Sequence, residues 1–342
     1  MNKANFTNLA WVLASRPNGQ ASEKNFRLIT HPIRPIRKGE MLLQTMYLSL
    51  DPYMRGRMDD RKSYIAPALL NQPMVGSTVS RVIDSARPDF ESGDVVLASG
   101  GWQKYSISNG TGVVNINHLK HPSWALGILG MPGFTAYMGL LDIGKPQAGE
   151  TLVVAAATGP VGATVGQLAK LWGCHVVGVA GNEEKCRHAV EILGFSSCIN
   201  HKRHDFSDAL SRACPGGIDI YFENVGGKVF DTIFPLLNPC ARIPVCGLVS
   251  VYNEPSRDVS RSDITPPMLR EIIRRRILLQ GFIISQDYGD RYHELFHSMI
   301  SLTDNNKIHY LEHVTEGLEN APGAFFSMLD GSNFGKTVIK VS

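Results

Sequence analysis

Residues 151–162, TLVVAAATGPVG, run an apolar segment rich in β-branched residues directly into a glycine turn. An unbroken apolar run of this kind reads as a parallel strand covered on both faces, since a half-exposed strand would alternate. Gly159 and Gly162 follow it, with Ala157 standing where the first glycine of a G-x-G-x-x-G fingerprint would be. In that fingerprint one glycine makes the tight turn, one admits the pyrophosphate to the backbone, and one lets helix and strand approach closely. Val161, Val165, Leu168, Ala169 and Trp172 then recur at helical spacing, with Gly173 as a C-terminal stop. Gly159, Pro160, Val161 and Gly162 therefore stand at a helix N-terminus, where unpaired N–H groups receive an anion. A G-x-x-G alone fits any tight strand-to-helix turn. A second strand at 175–181, at βαβ distance, makes this one a dinucleotide-binding unit.

The chain is long enough for two domains at 342 residues, and with 43% hydrophobic residues it can bury a large core. A net charge of only +3, without a long run of like charge, gives no sign of nucleic acid or a polyanionic surface. Arg274, Arg275 and Arg276 read as a helix end, where cations suit the dipole. Residues 1–19 have no continuous apolar h-region of a signal peptide and no run of 18 apolar residues occurs, so a soluble, cytoplasmic protein with no membrane partner is expected. The six cysteines, at 174, 186, 198, 214, 240 and 246, form no C-x-x-C pair and read as buried thiols in a reducing compartment.

The first 125 residues are strand-like and punctuated by Pro and Gly, with strands expected at 41–49, 76–84 and 94–98. From about residue 126 the texture alternates. Strands are expected at 151–157, 175–181, 197–201, 218–224, 242–248 and 278–284, with helices at 183–193, 205–214, 228–236 and 291–302. Six strands with helical crossovers describe an α/β, doubly wound parallel sheet. The tail from Ile308 contains a strand-like segment at 336–341, and periodicity does not say which domain it joins.

An NAD site usually carries Asp or Glu about 20 residues beyond the glycine turn, on the ribose hydroxyls. Here the second strand ends at Gly181, which leaves room and adds no negative charge, and Lys185 stands within reach of a 2′-phosphate. Glu183 and Glu184 read as first-turn acids behind an Asn182 cap. If Glu183 instead bound ribose, the cofactor would be NAD. The missing acid together with Lys185 favours NADP. No metal is expected: a catalytic zinc would need Cys and His ligands in the first domain, and residues 1–150 contain no cysteine, while His31, His118 and His121 are scattered.

Eight segments carry a family likeness: WVLASRP at 11–17, LSLDPYMRGRM at 48–58, LGMPGFTAYMGLLDIG at 129–144, AAATGPVGATVGQLAK at 155–170, YFENVGGKVFD at 221–231, ARIPVCGLVSVYN at 241–253, and GFII with NFGK near the end. By these the chain resembles the zinc-free medium-chain dehydrogenase/reductases, in the branch of NADP-dependent alkenal and prostaglandin reductases. The resemblance implies a GroES-like β domain of residues 1–125 and 306–342, a Rossmann NADP-binding domain of residues 126–305, and a homodimer formed through the Rossmann sheets. It implies that Gly159 to Gly162 hold the pyrophosphate and Lys185 the 2′-phosphate. His201 stands where relatives often have tyrosine. Asn224, the loop with Cys246, Gly247, Leu248 and Tyr252, the Phe282, Ile283 and Ile284 segment, and Asn333 would line the cofactor, with Met131 and Thr135 near the nicotinamide.

The activity implied is NADPH-dependent reduction of the C=C bond of small-molecule α,β-unsaturated ketones and aldehydes, a diarylheptanoid enone among them. Hydride would go to the β-carbon, and Tyr252 with the cofactor ribose would hold the enolate oxygen, since a donor placed where charge develops accelerates such a step. Tyr53 and Tyr64 are further candidates for oxygen contacts or pocket walls. A quinone reductase, or an NADPH-binding protein without turnover, is compatible with the same residues.

Overall fold

The structure is a computed structural model that describes residues 6–254 and 265–342. The chain divides into two compact units, one made of residues up to Gly127 together with Glu312–Ser342, the other of Ile128–Leu311.

The second unit is built on a six-stranded parallel sheet: β1 Thr151–Ala155, β2 His175–Ala180, β3 Ser197–Asn200, β4 Ile218–Phe222, β5 Leu237–Val245 and β6 Leu278–Gly281. Their spatial order is β3-β2-β1-β4-β5-β6, so the winding reverses between β1 and β4. In such sheets a ligand binds outside the carboxyl ends at that reversal. Leu152, Val153, Val154 and Ala155 are all fully buried, as the unbroken apolar run requires. Burial of each Leu or Val contributes about 1.5–3 kcal/mol.

Helix α1, Pro160–Leu171, follows β1. Val165, Leu168 and Ala169 face the core, while Val161 and Trp172 are half-buried at its two ends. Gly173 ends it at φ +87°. The Gly173 N–H reaches Lys170 O at 3.0 Å and the Cys174 N–H reaches Ala169 O at 3.0 Å, the paired bonds of a Schellman cap. Helix α2, Glu183–Glu191, begins with Asn182, whose side chain accepts the Lys185 N–H at 2.8 Å, as the capping reading requires.

Several strand ends differ from the expected ones, each for a local reason. β1 stops at Ala155, two residues early, because Ala156 takes φ +53°. β2 stops at Ala180 and β3 at Asn200, where capping and turn bonds take over. β4 stops at Phe222 with one further parallel bridge, Glu223 to Val245, after which the Glu223 side chain takes the Val225 and Gly226 N–H groups and turns the chain out of the sheet. β5 runs Leu237–Val245 in place of 242–248: Leu237 pairs with Ile218 across a register shift, and beyond Val245 the chain leaves the sheet for a 3₁₀ turn, Val249–Val251. β6 ends at Gly281, since the Ile283 N–H is taken by the Asp287 side chain at 2.7 Å, which starts a one-turn helix at Ile284. The helix expected at 228–236 is Gly227–Ile233 followed by a tighter turn, Phe234–Leu236, around Pro235. The arginine run ends the helix Thr265–Arg275. Arg274 and Arg275 both pair with Glu271, and Arg275 donates to Pro235 O and Leu237 O at 2.9 Å each.

The first unit holds an antiparallel pair, Thr7–Leu13 with Phe26–Pro32, and a seven-stranded sheet. Its central strand is Met41–Ser49, as expected from sequence, and the strand expected at 76–84 is Thr78–Ser85. Lys336–Lys340 pairs antiparallel with Met41–Ser49, so the C-terminal tail completes this sheet. Phe26 stacks on Trp102 at 5.2 Å, and Phe325 meets Trp102 edge-on at 5.5 Å. Beside this cluster the Lys336 ammonium, 1% exposed, donates to Asp51 and to the Leu50 carbonyl at 2.7 Å each.

Candidate cofactor and active site

The turn after β1 is shaped by close approach. A Cβ on Gly162 would stand 2.3 Å from Ala156 O and 2.9 Å from its carbonyl carbon, so only glycine lets α1 lie this near the strand. A Cβ on Gly159 would meet Ala156 O at 3.3 Å and little else, so the fold needs that glycine less than an approaching ligand would. Gly159 caps α1 with extended backbone, and the Val161 and Gly162 N–H groups lie in the first turn, where a helix has no carbonyl of its own for them. The positive-φ residue of the turn is Ala156 rather than Ala157.

At the end of β2, a Cβ on Gly181 would find only His201 Nε2 at 3.6 Å and Lys202 Cε at 3.8 Å. Packing within the unit does not require glycine here, and the absence of a side chain leaves the corner open. Cations gather around it. The Lys185 side chain is 8% exposed, and burial, with Lys202 adding to it, lowers its ammonium pKa below the usual value. Burial also lowers the His201 imidazole pKa, with Lys202 and Lys228 acting in the same sense. A phosphate dianion would relieve this mutual repulsion. Glu183 faces away from a ribose-binding role: Asn200 donates to its carboxylate at 3.1 Å and Arg203 lies 4.0 Å from it. Lys202 and Lys228 were not singled out from sequence. The Asn200-His201-Lys202 run was visible, but only the packing of β3 beside β2 brings its side chains to Gly181.

At the winding reversal, Asn224 donates from its side-chain amide to Ala155 O at 2.9 Å and so ties the exit of β4 to the end of β1. Its backbone carbonyl accepts the Val249 N–H at 3.2 Å, and Val225 O accepts the Ser250 N–H at 3.0 Å. The 246–252 loop is thereby fastened over the β4 exit. Tyr252 closes its 3₁₀ turn, and a Cβ on Gly247 would stand 3.3 Å from the Tyr252 hydroxyl. The Cys246 thiol is raised to about 12 by burial and by the Glu223 carboxylate. The Phe282 ring is core, edge-on to Phe222 at 6.4 Å, and Ile284 is buried, so this segment would offer backbone to a ligand. Met131 opens the helix Met131–Met138 with 41% exposure, and the Thr135 hydroxyl donates back to Met131 O at 2.8 Å.

Tyr53 and Tyr64 belong to the first unit. Burial pushes the Tyr53 phenol well above its usual range, with Asp51 and Tyr64 acting in the same sense, so its hydroxyl keeps its proton. Tyr64 is 46% exposed. Asn333 is also in the first unit, and its amide closes a short loop onto Gly335 O at 3.0 Å.

A glycine turn and a cation-lined corner on a 3-2-1-4-5-6 parallel sheet, carried on one chain with a separate β unit, define a two-unit dinucleotide oxidoreductase. Residues 9–116 match the model of an N-terminal domain of oxidoreductase, and residues 160–302 that of a zinc-binding dehydrogenase. The chain is 59% identical over 336 residues to the NADPH-dependent curcumin reductase of Escherichia coli, covering 98% of this chain and 97% of that one. It is 39% identical to bovine prostaglandin reductase 1, with 97% and 98% covered. Against the crystal structure of CurA from Vibrio vulnificus in complex with NADPH, the TM-score is 0.94 at 53% identity, with 98% and 99% covered. The chain therefore belongs to the medium-chain dehydrogenase/reductase family. Although one matching model is named for zinc, no group of three or more His, Cys, Asp or Glu among the described residues is placed to hold a metal ion. Nor is any described helix long and apolar enough to cross a membrane.

Proposed function

We propose that this chain is an NADPH-dependent reductase of the C=C bond of α,β-unsaturated ketones and aldehydes. The observation that carries the cofactor half is the Gly181 corner, with no acid at position 181, His201 and Lys202 beside it, Lys185 acted on by Lys202, and Lys228 acting on His201. The substrate class is supported by full-length likeness to proteins named as curcumin, prostaglandin and 2-alkenal reductases. In this reading the first-turn N–H groups of α1 receive the pyrophosphate, and the Gly181 corner receives the 2′-phosphate. Asn224, the 246–252 loop and the backbone of residues 282–284 line the rest, and Met131 and Thr135 flank the nicotinamide end. Bound there, NADPH would supply hydride to the substrate's β-carbon, and the enolate so formed takes a proton at its α-carbon through Tyr252 or from water.

The charge that then develops on the substrate oxygen calls for a donor already in place. Tyr252 is that donor in this proposal, with Tyr53 and Tyr64 as substrate contacts. A phenol of pKa near ~10 donates without ionising at neutral pH. Loss of one such donor costs about 10²- to 10³-fold in rate. Tyr252→Phe is therefore expected to lower kcat/KM on an enone at least tenfold, and a fall of less than about threefold would remove Tyr252 from the role.

The reading as a whole is tested by following NADPH oxidation over a short series of enals, enones, a diarylheptanoid and quinones, then repeating with NADH. Turnover of enones with NADPH is expected. Activity confined to quinones would make this a quinone reductase, and NADPH binding without any turnover would make it a binding protein. We further propose a homodimer through the edge of the parallel sheet, where Leu278 and Leu279 of β6 are 44% and 38% exposed. Sedimentation equilibrium giving a single-chain mass at micromolar concentration would contradict it.

A further inference from the structure

Glu223 follows β4 directly and is fully buried. Backbone and side chain both serve the loops at the winding reversal. Its N–H donates to Pro244 O at 2.9 Å, and its carbonyl accepts from Cys246 N at 3.0 Å and Gly247 N at 3.3 Å. Its Oε1 accepts from Val225 N at 2.6 Å and Gly226 N at 2.9 Å. The side chain thus holds the turn that follows Asn224, while the backbone holds the start of the loop that carries Tyr252. The two segments are then joined through Val225 O, which accepts from Ser250 Oγ at 2.5 Å.

Such an arrangement is costly, and a purely structural strand end does not call for it. Oε2 is buried, and the group that acts on the carboxyl there is the hydroxyl of Tyr221, itself buried two residues earlier, in β4. Burial raises the carboxyl pKa above the usual carboxylate range, against the Val225 and Gly226 N–H groups and Tyr221, which act to lower it. Burying a carboxyl costs free energy, which its bonds to two successive N–H groups offset.

We propose that Glu223 is a positioning residue for the reaction, setting the Asn224 turn and, through it, the Tyr252 loop at the β1/β4 reversal. It touches neither substrate nor cofactor in this account. Its action is by reach: Oε1 must extend to two successive N–H groups. The inference rests on the function proposed above.

Two variants separate reach from charge. Glu223→Asp keeps the carboxylate but withdraws it by one methylene, whereas Glu223→Gln keeps the reach and removes the charge. Positioning predicts that E223D lowers kcat on an enone at least tenfold, with KM for the enone changed less than threefold, and weakens NADPH binding. E223Q is expected to stay within about threefold of the native protein on all three. Equal kinetic constants and NADPH Kd for native and E223D protein, whatever the change in Tm, would overturn the inference. So would loss in E223Q with retention in E223D. Should the native protein turn over no enone, the functional reading fails on its own, and NADPH Kd across the three proteins decides the inference.

Discussion

A single missing side chain, at Gly181, has two consequences that the surrounding charges amplify. It leaves space, since a Cβ there would have no neighbour nearer than 3.6 Å, and it withholds the carboxylate that would hold a bare ribose. Gly181→Asp should therefore fold, because there is room for it. It should raise the NADPH Kd at least tenfold through repulsion of the 2′-phosphate while leaving NADH binding equal or better. An unchanged NADPH-to-NADH ratio in titrations of the variant would contradict the assignment. His201 adds a pH dependence of defined sign. Burial and the neighbouring lysines hold its pKa below the usual value, so the imidazole is neutral near pH ~7 and becomes a further cation only on acidification. NADPH should bind more tightly to native protein than to His201→Gln as pH falls from ~8 to ~5.5, and a difference independent of pH would remove His201 from the phosphate site. Gly181 and Lys185 were legible in the sequence because both lie within a few residues of a recognisable strand end. Lys202 and Lys228 were not, since Lys202 comes to that corner only once β3 lies beside β2, and Lys228 stands on the helix that follows β4.

The β1-turn-α1 element makes its two glycines unequal, in the sense that the fingerprint assigns them: Gly159 to ligand access and Gly162 to close helix–strand approach. An added Cβ at Gly162 would meet backbone atoms of Ala156, which have nowhere to go. Overpacking of this kind costs about 1–3 kcal/mol. Gly162→Ala is expected to lower Tm clearly, as read by calorimetry. Gly159→Ala is expected to change Tm little and to weaken NADPH binding strongly, because its Cβ occupies only the approach to the helix N-terminus. The reverse ranking would show that the turn had been misread. Element existence was plain from apolar runs and helical spacing, whereas element ends were set by single hydrogen bonds. The side chain of Asp287 ends β6, and the side chain of Glu223, on the Val225 and Gly226 N–H groups, turns the chain out after β4. Neither bond has a periodic signature. Glu223 itself, inside a quoted motif, gave no chemical signal before its burial was known.

For the whole molecule, a doubly wound parallel sheet followed from the alternation of strands with helices, whereas the order β3-β2-β1-β4-β5-β6 is given by the structure. The partner of the C-terminal segment did not follow, since strand pairing between residues nearly 300 positions apart has no local signature. It is fixed by Val338 opposite Ser49 and by the buried Lys336 and Asp51 pair. The family likeness across the full chain supplied the substrate class, which no residue in the cofactor site encodes. The central claim is that hydride from NADPH ends on the β-carbon of an enone. It is tested most directly by turning over an enone with NADPH fully deuterated at nicotinamide C4 and locating the label by NMR. Deuterium on the β-carbon of a saturated ketone is the expected result; deuterium on the carbinol carbon of an unsaturated alcohol, or no labelled product, would contradict the account.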